Sequence, residues 1–231
     1  MNVIHPSAVI GDGVHLGDGN TVGPNVVLLG PLVVGDDNWF GPGVTIGTPP
    51  EVRDVPHPSE WVESTPGAPG IRIGSRNVFR EYTLVHQGWH EQTTVGDDCF
   101  IMNKVYVAHD STIGNRATLA STVTMGGHVR VGDGANIGLG AVVHQRRVVG
   151  AGAMVGMGAV VTRDVPPFAK VYGNPARMHG ANTIGMQRSG FDDGAIRLLE
   201  DFYRRGVIPS DDEVGDGLAV RFAVWAQETS P

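Results

Sequence analysis

Four histidines, His86, His109, His128 and His144, interrupt a run dominated by Val, Ile, Gly and other small residues, and His109 is followed directly by Asp110. Imidazole is the side chain suited to taking and returning a proton near neutral pH. A carboxylate beside it fixes which ring nitrogen carries the proton and stabilises the charge that forms. Two chemistries fit these residue types. In one, His109 is a general base and Asp110 its orienting partner, so that a hydroxyl or amine can attack an acyl thioester. In the other, several neutral imidazoles hold a metal ion.

The elements that must position these residues are set by a six-residue period. Every sixth residue from Ile4 to Ile46 is apolar, and the register resumes at Ile73, Phe79 and Val85. It then runs through twelve positions, Val95, Ile101, Val107, Ile113, Leu119, Met125, Val131, Ile137, Val143, Val149, Val155 and Val161. The next residue is usually Gly. Such a repeat reads as a parallel β-helix in which each hexapeptide is a short strand and a corner, with the apolar residue stacked inward. With three hexapeptides to a coil, residues 18 apart are neighbours, about 4.8 Å from rung to rung. His109, Gly127 and Gln145 then form one column, and Asp110, His128 and Arg146 the next. His86 and His144 occupy the position after the inward residue, where Gly is the rule. Such local violations tend to mark functional sites.

The breaks in register predict loop insertions near 48–72 and 87–94. After Val161 the repeat gives way to two predicted helices. Asp192 or Asp193 caps the first, with Ile196, Leu199, Phe202 and Tyr203 on one face and Gly206 as its stop. Ser210 and Glu213 have the spacing of a capping box for the second, with Leu218, Phe222 and Trp225 as contacts. Their expected role is to close the end of the β-helix. The expected division is a β-helix over 1–178 and a helical region over 179–231.

The bulk composition agrees. Of 231 residues, 34 are Gly and only 6% are aromatic, which suits a turn-rich β protein. The lone Cys99 excludes an intramolecular disulfide and a cysteine-rich metal site. No basic n-region with an apolar run opens the sequence, and no apolar stretch is long enough to span a membrane, so the expectation is a cytoplasmic protein. Net charge is −7, yet residues 111–190 hold eight bases and two acids, a local +6. That zone suits a local acidic ligand or carrier protein. The overall charge argues against general nucleic-acid binding.

The repeat resembles that of the hexapeptide acyltransferases, which implies a left-handed parallel β-helix, a homotrimer and active sites between subunits. More specifically, VAHDSTIGN, GGHVRVGD, AVVHQ, DVPPF and GANTIGMQRSGF follow one another as in the UDP-N-acetylglucosamine acyltransferases that begin lipid A synthesis. That family moves a 3-hydroxyacyl chain from acyl carrier protein to a sugar hydroxyl and needs no further cofactor. The resemblance implies His109 as base, Asp110 as partner and the Gly127 N–H as oxyanion donor. It also implies contacts to donor or acceptor from His128, His144 and Gln145, a sugar-site role for His86, and nucleotide contacts from Asn182 and Arg188. Met157 matches the family's hydrocarbon ruler, where a bulky residue goes with short or medium chains.

The sequence also departs from that family. Tyr106 replaces a common second His at the acceptor side, Ser189 follows Arg188 where a second Arg is usual, and Ile184 takes a usually acidic position. PPEVRDVPHPSEWVES replaces the family's sugar-contacting loop, and GNPAR is similar to a motif of acetyl-CoA-dependent acetyltransferases. An acetyl-CoA-dependent sugar acetyltransferase is therefore the alternative. A third possibility is a carbonic-anhydrase-like hydratase, but the paired histidines of that metal site are missing beside His109. A non-catalytic scaffold is the fourth.

Overall fold

The computed structural model describes residues 1–55 and 67–229. The expected 48–72 insertion, with most of PPEVRDVPHPSEWVES, therefore lies partly outside the described residues, over 56–66. The described chain winds into a three-sided parallel β-helix whose strands are mostly two or three residues long. Each sheet collects every third strand, giving ten, eight and seven strands on the three sides. The ladder is in register at 18 residues, as in Val107 against Met125 and Met125 against Val143. Each insertion lengthens one coil: Val85 pairs with Val107, 22 residues on, and Ile46 pairs with Val85, 39 residues on.

The inward positions form one continuous core. All twelve from Val95 to Val161 are 2% exposed or less. Because a single-residue slip would send every one of them outward, the apolar column fixes the register. Asn20, Asn38 and Asn77 add a buried polar ladder, each side-chain oxygen accepting a backbone N–H from the coil above, ending at the Cys99 N–H. At the other sequence end, Ile4 and Ile10 are 45% and 38% exposed, because no coil stacks beneath them in the described chain.

The end of the helix is closed differently from the sequence expectation. The last parallel strand, Ala169–Tyr172, turns back into an antiparallel strand, Arg177–Ala181, that crosses the expected 178/179 boundary. Helix α1, Thr183–Arg188, follows it, capped by Asn182. Helix α2, Asp193–Arg204, is capped by Asp192 and buries Ile196, Leu199 and Tyr203, whose hydroxyl donates to the Pro167 carbonyl at 2.5 Å. Phe202 is only half-buried, and Gly206 takes the left-handed conformation that ends the helix (φ 72°). The Ser210–Glu213 box encloses a 3₁₀ turn, Asp211–Glu213, rather than opening the second helix. Helix α3, Asp216–Thr229, starts later, at Asp216. It buries Leu218 and Phe222 and touches the strand Val148–Val149, so it lines a flank of the β-helix instead of closing its end. Among the described residues, no helix is long and apolar enough to cross a membrane.

Candidate functional site

The corner after the strand Tyr106–Val107 carries His109 and Asp110. Asp110 is in the left-handed region (φ 59°), as are His128 and Arg146 above it (φ 60° each). Twelve non-glycine residues of the described chain share that conformation, so it belongs to the coil and does not by itself mark function. What sets this corner apart is how its polar atoms are used. Asp110 is 2% exposed, and its Oδ2 meets His109 Nδ1 at 2.6 Å. Its Oδ1 accepts three consecutive backbone N–H groups, from Trp89, His90 and Glu91, at 2.7–2.8 Å. The Asp110 N–H itself donates to Thr93 Oγ1 at 3.0 Å. Burial would raise the Asp110 carboxyl, but the His109 hydrogen bond and the Glu91, Trp89 and His90 N–H groups outweigh it and hold the carboxyl below its ordinary range. The second insertion is thus a tight turn wrapped on this carboxylate, and the isolated bridge Gly70–Gly88 ties it to the end of the first insertion.

This fixes the imidazole. With Nδ1–H directed at Asp110, Nε2 keeps its lone pair for a proton. Gly127 lies against that side: a Cβ there would stand 2.6 Å from His109 Cε1 and 2.7 Å from Nε2. Its carbonyl accepts the Arg146 N–H, while among the described residues the Gly127 N–H has no hydrogen-bond partner. A base nitrogen and a free backbone donor therefore share one corner, the arrangement that acyl transfer through an oxyanion requires. His128 packs edge-on to His109, with ring centroids 5.3 Å apart, and its Nε2 lies 3.4 Å from Asp110 Oδ2. Burial holds His128 below the ordinary histidine range, against the pull of Asp110. Gln145 sits in the same column one coil on, and exposed His144 directs Nδ1 to the Gln145 carbonyl at 3.1 Å.

On the side toward the first insertion, His86, one coil earlier, and Tyr106, on the strand that leads to His109, form a second group, their ring centroids 5.2 Å apart. His86 is 5% exposed; its Nδ1 faces the Pro49 carbonyl at 2.8 Å and Thr48 Oγ1 at 3.1 Å. Its Nε2 is buried without a hydrogen-bond partner, with Glu51 Oε1 3.9 Å away. The Tyr106 hydroxyl donates to Glu51. Burial and then the Glu51 carboxylate push the Tyr106 hydroxyl far above its ordinary range, so it stays a protonated donor.

The comparisons with known proteins agree on one family. A family model described as "Bacterial transferase hexapeptide (six repeats)" matches residues 92–127, and one described as "Udp N-acetylglucosamine O-acyltransferase; Domain 2" matches residues 164–210. The chain is 38% identical over 208 residues, 87% of its own length and 76% of the relative's, to the acyl-[acyl-carrier-protein]–UDP-N-acetylglucosamine O-acyltransferase of Thermodesulfovibrio yellowstonii. The chain belongs to the UDP-N-acetylglucosamine O-acyltransferase family. A same-named relative from Burkholderia multivorans is 40% identical over 57% of this chain and 52% of its own length. Among solved structures, the UDP-N-acetylglucosamine acyltransferase of Bacteroides fragilis aligns with a TM-score of 0.80 at 25% identity, covering 98% of this chain and 95% of that one. The Campylobacter jejuni enzyme gives 0.75 at 26%, covering 98% and 97%.

Not every family position meets in one chain. His109, Asp110, Gly127 and His128 form one cluster, and His86 with Tyr106 another beside it. Asn182 spends its side chain on the fold: Oδ1 accepts from the Gly185 N–H at 3.1 Å and Nδ2 donates to the Gly152 carbonyl at 2.9 Å. Arg188 is exposed at the end of α1. Among the described residues, no hydrogen bond, ion pair or ring contact joins Asn182 or Arg188 to the His109 cluster. Met157 is 75% exposed, in the column of Leu139 at 50%. Four contributors escaped the sequence reading: Glu51 and the Trp89–His90–Glu91 turn. Their signal was present, since acidic and aromatic residues crowd both breaks in the repeat, but only the fold shows where insertions return.

Proposed function

We propose that this chain transfers an acyl group from the thioester of an acyl carrier protein to a hydroxyl of UDP-N-acetylglucosamine or a close nucleotide sugar. The observation that carries this reading is His109 Nε2, free and facing Gly127, on a ring held by Asp110. The acceptor hydroxyl gives its proton to Nε2 as its oxygen bonds to the thioester carbonyl carbon. The carbonyl electron pair moves onto oxygen, where the Gly127 N–H stabilises it. Collapse breaks the C–S bond, and the departing thiolate takes the proton back from the imidazolium. Asp110, ionised throughout, steadies that cation without accepting the proton.

His86, Tyr106 and Glu51 form the acceptor side. Leu139, Val142, Met154 and Met157, exposed at 39–75%, supply an outer apolar strip for the acyl chain, with Met157 limiting it to short or medium length. Such a strip, together with Arg188 and His144 standing apart from the base, supports a homotrimer in which neighbouring copies complete each site. The test offers the purified chain 3-hydroxyacyl carrier proteins of graded length, and acetyl-CoA, each with UDP-N-acetylglucosamine, and reads product mass. Acylated nucleotide sugar from carrier protein alone is expected. Transfer from acetyl-CoA but not from carrier protein would replace this reading with the acetyltransferase alternative.

A further inference from the structure

Asp110 Oδ2 is approached by two imidazole nitrogens, His109 Nδ1 at 2.6 Å and His128 Nε2 at 3.4 Å, and the three residues each bring one ligand atom to within 4.8 Å of the other two. The rings stand nearly perpendicular, at 86°, so they converge on the oxygen from different directions instead of stacking. Two imidazole nitrogens and one carboxylate oxygen are a donor set for zinc-class ions, whereas magnesium and calcium prefer oxygen alone. Zinc bonds of about 2.0–2.2 Å in tetrahedral geometry separate neighbouring ligand atoms by roughly 3.3 Å. The His128 contact is already at that spacing, and the His109 contact has to open by less than about 1 Å. The support around the oxygen is also built. The Trp89, His90 and Glu91 N–H groups occupy Oδ1, which anchors the carboxylate and leaves Oδ2 turned to the two imidazoles. The His90 ring lies parallel to His128 with centroids 6.3 Å apart, and Trp89 meets His109 edge-on at 6.2 Å, so two aromatic rings flank the cluster.

We propose that His109 Nδ1, Asp110 Oδ2 and His128 Nε2 bind a zinc ion, with water in the fourth position, and that the ion is an inhibitor of the chain's own base. Zinc replaces the proton that Nδ1 shares with Asp110. That proton leaves to solvent, and Nε2 takes one up, so the ring stays neutral with its tautomer reversed. Nε2 then has no lone pair with which to accept the acceptor hydroxyl's proton. Binding of the ion is independent of the acyltransferase reading; the inhibition rests on it.

Tag-free protein titrated with zinc chloride by calorimetry is expected to bind one ion per chain. Cobalt substitution is expected to give the visible absorption of a tetrahedral site, and inhibition of acyl transfer is expected to reverse on adding a chelator. His128→Gln and His109→Ala are each expected to lower zinc affinity at least about tenfold. Two substitutions guard against loss through misfolding, and circular dichroism checks both. Absence of stoichiometric binding, or unchanged binding in both variants, overturns the proposal. Zinc binding by a chain that transfers no acyl group would sink the functional reading and leave the metal site standing.

Discussion

His86 and His109 lie in adjacent coils of the same side, His86 at the place where the coil normally keeps a small residue and His109 one place further along its own corner, yet the chain treats them in opposite ways. His109 has its Nδ1 fully committed to a carboxylate that is itself held by three backbone N–H groups. Its other nitrogen faces a glycine. His86 is more deeply buried, but its Nε2 has no partner and the nearest carboxylate oxygen, on Glu51, is 3.9 Å off. A buried unpaired nitrogen costs about 1–3 kcal/mol. The contrast separates a ring whose carboxylate partner is fully held by the chain from one with a buried nitrogen that the chain leaves unpaired. On the proposed function, chemistry belongs at the first corner and recognition at the second.

Variants that damage the first corner should have the largest effect and act on turnover. His109→Ala is expected to lower kcat by about 10²–10⁴-fold, the usual contribution of a positioned base, while acceptor KM changes little. Steady-state assays with chromatographic separation of the acylated sugar measure this. Full activity in His109→Ala would return the scaffold reading. Gly127→Ala places a methyl group within 2.6–2.7 Å of the ring and is expected to cost roughly 10²-fold in kcat by displacing it. Asp110→Asn retains an oxygen for the three N–H groups and loses the charge, so turnover is expected to fall by up to about 10⁴-fold with the fold intact.

Asp110 also predicts a stability profile. Its folded-state carboxyl is held below the unfolded value, so its contribution is complete above about pH 4 and is lost as pH falls through the lower folded-state range. Thermal unfolding followed from pH 7 down to 3 is expected to show a steeper acid-side loss for the natural chain than for Asp110→Asn. Parallel slopes would mean that the carboxylate is not stabilised by its three donors.

The scaffold was legible because its signal is repeated. Twelve apolar residues at one spacing determine the coil, the register and the stacking of His109 on Gly127 without help from anything distant. The capping of α2 by Asp192 is local in the same way. The parts that escaped depend on contacts that no period records. Glu51 reaches Tyr106 across 55 positions, and the turn at Trp89–Glu91 closes on Asp110 from about 20 residues away. The course of α3 was misjudged for a related reason: its apolar positions say that it packs, not against which face. Asn182 illustrates the reverse limit: the position for which the resemblance implies a nucleotide contact is a helix cap here, with both side-chain polar atoms used within one chain.

At the second corner the expected effects are smaller and fall on binding. Tyr106→Phe removes the hydroxyl that donates to Glu51, and Glu51→Gln removes the charge beside His86. Each is expected to raise acceptor KM by about tenfold, the scale of one hydrogen bond to a charged group, with kcat changed only a few-fold. A fall in kcat with unchanged KM would erase the distinction between the corners.

Met157→Gly is the control that should leave both corners alone. The side chain is exposed in the column of Leu139, away from either histidine group, and its length is what would stop an acyl chain lying along the strip. Burying each further methylene contributes about 0.8 kcal/mol, so removing the stop is expected to raise kcat/KM for a longer donor by about fourfold per added methylene accommodated. Acceptor KM should stay constant, because neither His86 nor Tyr106 is touched. Competition between carrier proteins of two chain lengths in one reaction, read by product mass, gives the ratio directly. If that ratio is unmoved, Met157 fills a gap between subunits without measuring the chain, and the limit on acyl length lies elsewhere along the strip.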